Sequence, residues 1–282
     1  MIMELELSVF LIVCPLVFLG GFIDSIAGGG GLIALPAYLM AGVPAHFALG
    51  TNKLSAVSGA AVASFRYYKN KYVDIILCLP SIAAALAGSA LGSALALGSD
   101  ERILRWMLLA VLPVTGFYVL RKKNPDKEAP PLPRVKKMVY SLVISFFIGG
   151  YDGFSGPGTG TFLILLYNGI AKIDARTAAG NAKLVNFASN IAALALFLCN
   201  GRVLIPLGLC AAVFNILGSY IGSGLVIQRG TKIIRYAMLV VLALIFAKMA
   251  WDTMRDAGIE DRIMQTGAKT GCFAAGSRDR AG

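Results

Sequence analysis

The sequence predicts an all-α polytopic membrane protein made of two inverted-topology repeats with glycine-broken helices. Three observations carry that prediction. The 282 residues are 57% hydrophobic and only 15% charged, whereas a soluble domain carries about a quarter of its residues charged. The chain also repeats itself. Gly50, Lys53 and Leu54 recur 130 residues later as Gly180, Lys183 and Leu184, and Gly88–Ser93 recurs as Gly218–Ser223. Upstream, Asp24, Gly28 and Gly30 recur 128 residues later as Asp152, Gly156 and Gly158. Finally, the basic residues gather in short loops between apolar runs, where they set topology. Duplicated apolar units of this length are a common plan of secondary transporters.

The elements follow in order. The start, Met1–Glu6, has acids and no bases, so it reads as the lead into a retained first helix rather than a cleaved signal peptide. Nearly uncharged runs at Val9–Ile23, Ile75–Leu97, Ile103–Leu120, Met138–Ile148, Val203–Ile227 and Tyr236–Ala247 are candidate spans. Several reach the roughly 20 residues that cross about 30 Å of hydrocarbon. The first repeat is 1–120 and the second is 138–252. Between them, the linker 121–137 carries seven Lys or Arg residues and four prolines, and should be cytoplasmic. Arg66–Lys71 should also be cytoplasmic, whereas its counterpart around Gly201 should be outside. Asp100–Arg102 should be outside and its counterpart Gly230–Lys232 inside. The halves therefore read as inverted, with an odd number of crossings each and both termini outside. The tail 253–282 is polar and of mixed charge.

Two segments break the apolar pattern. Gly28, Gly29, Gly30 and Gly31 precede Leu32–Pro36, and Gly153–Gly160 precedes Phe162. Each glycine costs about 1 kcal/mol in a helix, so such runs end one. Backbone freed at membrane depth must be buried in protein or line a wet cavity. Helices restarting at Leu32 or Phe162 would aim unpaired N–H groups at that cavity, a site for an anion. The alternative is close helix packing, which is the preferred reading for Gly88/Gly92 and Gly218/Gly222.

Lys53 and Lys183 enter apolar helices, one in each repeat. A membrane-embedded lysine costs at least about 2.5 kcal/mol and needs a partner or a purpose. With Thr51, Asn52, Asn181 and Asn186 as neighbouring donors, two mirrored lysines suit a small oxyanion. Alternatively, each lysine reaches an interface or pairs with Asp24 or Asp152. Those aspartates either cap the broken helices or carry coupling protons. His46, the sole histidine, is expected in a loop. The five cysteines show no metal spacing, no cofactor is implied, and the net charge of +11 lies in topology loops rather than in a nucleic-acid face.

The segment Gly21–Pro36 (GFIDSIAGGGGLIALP), followed by Ala48–Leu54 (ALGTNKL), resembles the sulfite exporter TauE/SafE family. The likeness runs from about Ser8 to Trp251 and includes Gly153–Gly160 and Lys183. Asn181-Ala182-Lys183 departs from a clean Thr-Asn-Lys copy. The resemblance implies transport of sulfite or small organosulfur anions, in either direction. The expected site is therefore Gly28, Gly29, Gly30, Gly31, Thr51, Asn52, Lys53, Gly156, Gly158, Asn181, Lys183 and Asn186, with Asp24 and Asp152 coupling or capping. The expected partners are a small anion, a coupling proton or sodium ion, and the lipid of the inner membrane; a homo-oligomer is compatible with this. A passive anion channel is the nearest alternative. An intramembrane enzyme would need a nucleophile–base pair or a metal set that the motifs do not supply.

Overall fold

The computed structural model describes residues 6–100 and 132–229. The runs 103–120 and 236–247, most of the linker, the tail 253–282 and the loop 230–232 lie outside the described residues. Among the described residues every regular element is a helix, and the apolar runs dictate where each helix lies. α1 (Leu7–Ala27) stops at Gly28, whose φ of 82° lets its N–H return to Asp24 O at 2.8 Å. α2 (Gly31–Met40) is short. α3 (Ala45–Lys69) ends with Arg66 and Lys69 in its last turn, where cations complement the helix dipole. α4 (Ile75–Gly98) starts at Asp74, whose carboxylate accepts from the N–H groups of Ile76 and Leu77.

The second half repeats this order. α5 (Arg134–Phe154) and the short α6 (Thr159–Gly169) flank the second glycine break. α7 (Ala175–Cys199) is capped by Asp174 through Thr177 N, and α8 is Ile205–Arg229. α1, α4, α7 and α8 are long and apolar enough to cross a membrane. α2 and α6 rise only about 15 Å and cannot do so alone.

Three details differ from the sequence reading. The broken helices restart at Gly31 and Thr159, a turn or less before the expected Leu32 and Phe162, because glycine and threonine can serve as first-turn residues. α5 begins at Arg134, so Arg134, Lys136 and Lys137 are helical rather than linker; Pro133 immediately before them presets the entry. His46 lies in the first turn of α3, not in a loop, with Nε2 3.2 Å from Ala96 O.

The two halves pack by exchange. α1 lies on α8 and α5 on α4, while α3 and α7 pack on each other, α3 also touching α8 and α7 also touching α4. Small residues make this possible. A Cβ added at Gly88 would strike the backbone of Phe146, and one at Gly92 that of Gly150. Their counterparts Gly218 and Gly222 would strike Phe18 and Phe22. The packing reading of these glycines therefore holds, with carbonyl-to-Cα approach on both sides. Outward faces are apolar, with Leu11, Leu79, Leu95, Phe147 and Val213 exposed. Lysines, asparagines and serines are buried inside, an arrangement suited to lipid.

Candidate functional site

The two glycine breaks meet. Gly28 O accepts from Thr161 N at 3.4 Å, and Ala27 O accepts from the Thr161 hydroxyl at 2.7 Å. A Cβ at Gly28 would run into the Gly160 backbone, so close approach is one reason for glycine there. Positive φ at Gly28, Gly156 and Gly158 is the other. One edge of each break packs, while Gly28, Gly30, Gly31 and Gly156 also line a cavity.

Each lysine lies about two turns inside its helix and reaches into the opposite half. Lys53 of α3 is 2% exposed, with Nζ 3.0 Å from Asp152 Oδ1 and 2.6 Å from Asp152 O. Lys183 of α7 is 1% exposed, with Nζ 2.8 Å from Asp24 Oδ2 and a further bond to Asp24 O. The pairing is reciprocal between halves. The aspartates also tie the breaks, since Asp24 Oδ1 accepts from Gly30 N at 3.2 Å and Asp152 Oδ1 from the Thr159 hydroxyl at 2.9 Å. Ser189 donates to Asp152 Oδ2 at 2.7 Å.

Between these pairs is a cavity of about 30 Å³ lined by both aspartates, Lys53, Asn52, Asn186, Asn190, Asn215, Thr159, Ala34, Ala56 and the four glycines named above. A volume of that order admits a water molecule. The side-chain amide of Asn52 makes no hydrogen bond with the described residues. Asn186 Oδ1 accepts from Asn190 Nδ2 at 3.0 Å, and Asn215 Oδ1 accepts from Ser219 at 3.2 Å. The Nδ2 atoms of Asn186 and Asn215 have no acceptor among the described residues, so three buried amides face the cavity as donors.

Five expected residues do not line it. Gly29 and Gly158 belong to the breaks, and Lys183 approaches from behind Asp24. Thr51 Oγ1 accepts from Leu204 N and Asn181 Oδ1 from Asp74 N, both at 3.0 Å. Thr51 thus holds the chain just before α8, and Asn181 holds it just before α4, each in the opposite half. Asn190, Asn215 and Thr159 were not singled out by sequence. Asn190 could have been found four residues beyond Asn186, on the same helix face. Asn215 could have been found as an amide inside an apolar span.

The comparisons agree with this picture. The model of the sulfite exporter TauE/SafE family matches residues 13–249, nearly the whole membrane region. The chain belongs to that family. A "probable membrane transporter protein" of Haemophilus influenzae is 36% identical over 251 residues, covering 89% of this chain and 98% of the relative. A "probable membrane transporter protein ORF9" of Sinorhizobium is 37% identical over 224 residues, covering 79% and 85%. The "probable membrane transporter protein YfcA" of Escherichia coli K12 is 35% identical over 235 residues, covering 83% and 87%. No solved structure matches the chain. TauE/SafE membership and these relatives make the chain a membrane transporter.

Proposed function

We propose that this transporter carries small anions, sulfite or organosulfur oxyanions such as sulfonates, by alternating access between inverted halves. The observation that supports this most is the reciprocal exchange of buried ion pairs, Lys53–Asp152 and Lys183–Asp24, around an amide-lined cavity where two broken helices meet. Buried charges are costly and serve substrate or ion pathways in membranes. The cavity is too small for a sulfonate as it stands, so binding requires the halves to part. Free amides of Asn52, Asn186 and Asn215 would then donate to the anion's oxygens, alongside the lysines. The units 1–120 and 138–252 would be the moving halves, with linker 121–137 cytoplasmic and both termini outside in the inner membrane.

The test is uptake of radiolabelled sulfite into proteoliposomes. Lys183→Ala should abolish gradient-driven uptake while the protein remains monodisperse. Uptake that simply equilibrates, indifferent to any imposed ion gradient, would favour the passive anion channel. Undiminished uptake by Lys183→Ala would refute the site.

A further inference from the structure

The two ion pairs are equivalent by repeat but not by environment. Asp152 is held by Lys53, the Thr159 hydroxyl and the Ser189 hydroxyl, and its side chain is 3% exposed. Among the described residues, the Asp24 side chain is held by Lys183 and the Gly30 amide only, and it is 22% exposed. The cause is legible in the repeat. The positions matching Thr159 and Ser189 are Gly31 and Gly59, so the first half lacks both hydroxyl donors. Gly31 instead lines the cavity, and the Asn215 amide oxygen fills the space a side chain at Gly59 would need.

Charge decides what this difference does. Lys53, Lys183, Asp24 and Asp152 sum to zero. An anion added to a neutral buried cluster would stand uncompensated in low dielectric, which opposes binding. Loss of one carboxylate charge removes that penalty. Asp152 would surrender three hydrogen-bonding partners on its carboxylate, whereas Asp24 would surrender one lysine and one amide. The titratable and charged groups facing Asp24 are Lys183 from α7, Lys53 and Tyr67 from α3, and Asp152 from α5, with the Tyr67 hydroxyl donating to Ser25 O. Thr159 of α6, the backbone N–H of Gly30 just before α2 and Asn215 of α8 are neutral. A sodium ion at Asp24 would lie against the Lys183 ammonium in a cavity of about 30 Å³, while a proton needs no room.

We propose that the anion binds together with one proton, which Asp24 Oδ2 takes from water as it parts from Lys183, leaving the Lys183 charge to the anion. The Lys53–Asp152 pair stays ionised throughout and acts as the fixed half of the site. Transport of a monovalent anion is then electroneutral. This rests on the anion-transport reading above.

The experiment is calorimetric titration of the purified protein with methanesulfonate, whose own charge is constant near neutral pH, in buffers of differing ionisation enthalpy; sulfite serves as a second probe. The expected result is uptake of one proton per methanesulfonate, with Kd falling by up to about tenfold for each unit the pH is lowered. Asp24→Asn should bind with the same affinity at either end of that pH range. Binding without proton uptake, binding that requires sodium, or a pH dependence that survives in Asp24→Asn would overturn the proposal and leave the anion site standing. The wild-type proton count needs no variant to fold. If neither methanesulfonate nor sulfite binds at any pH, the transport reading itself fails, and this inference with it.

Discussion

The first half, α1–α4, and the second half, α5–α8, share a scaffold and differ in chemistry. Wherever the repeat governs helix approach or chain anchoring, the contacts match. Gly88 and Gly218 meet the opposite half's backbone in the same way. So do Gly50, which meets Arg202 O, and Gly180, which meets Tyr72 O. Thr51 and Asn181 differ in kind yet both accept a backbone N–H at 3.0 Å. Around the cavity the halves diverge. Ala56, Ala60 and Ala85 stand where the second half has Asn186, Asn190 and Asn215, and Gly31 and Gly59 where it has Thr159 and Ser189. Symmetry of geometry combined with asymmetry of polar groups is what a transporter needs, because two similar conformations must surround one substrate with its own fixed chemistry.

The largest expected effect separates the ion pairs. Lys53→Ala strands a carboxylate that is 3% exposed and should cost about 3–5 kcal/mol. Lys183→Ala strands one that is 22% exposed, where water can recover part of the loss, and should cost clearly less. Denaturation midpoints in detergent read both variants, and equal losses would break the distinction between a fixed and a labile pair. A separate check concerns the helix contacts, where the halves should behave alike. Gly88→Ala and Gly218→Ala each force a methyl group against a carbonyl and should each cost about 1–3 kcal/mol. A large difference between those two midpoints would show that the α4–α5 and α1–α8 seams are not equivalent.

Much of this was legible beforehand. Constant offsets between the halves showed the repeat, glycine runs showed the helix breaks, and buried Lys and Asp stood out against apolar sequence. The pairing across halves was not legible, since an offset relates equivalent residues without saying whether Lys53 meets the aspartate of its own half or the other. The exchanged packing of α1 on α8 and α5 on α4 decides it. Thr51 and Asn181 looked like substrate donors because each lies two residues before a lysine. On a helix each residue turns about 100° from the last, so residues two apart face nearly opposite ways, and Thr51 turns to Leu204 while Lys53 turns to Asp152. Asn215 was hidden by distance, 163 residues from Asn52 in the chain yet lining the same cavity.

Intermediate effects should arise where the second half is made to imitate the first. Ser189→Gly removes a hydroxyl donor from Asp152 and installs the residue found at position 59. Hydrogen bonds to charged groups contribute about 1.5–3 kcal/mol, to which a mid-helix glycine adds about 1 kcal/mol. Ser189→Ala isolates the first contribution. If the hydroxyls are what hold Asp152 ionised, Ser189→Ala should also give the wild type's single proton uptake a second, shallower component. An unchanged midpoint would mean that Lys53 and Thr159 secure the carboxylate without Ser189.

The smallest effect on stability should come from Asn215→Ala, which makes the second half match Ala85. Among the described residues its Nδ2 has no acceptor to lose, and its Oδ1 gives up only the 3.2 Å bond from Ser219, whose hydroxyl also donates to Gly21 O. Midpoints should therefore move by no more than about 1 kcal/mol. Anion binding should respond far more, because a buried donor that only the ligand can satisfy contributes to affinity and not to folding. A loss of about tenfold in methanesulfonate affinity corresponds to one neutral hydrogen bond. The ratio of the two effects sharpens the comparison between halves. A variant that loses stability and keeps affinity would place Asn215 with the scaffold residues the halves share, and the reverse would place it with the polar groups that make one half different from the other.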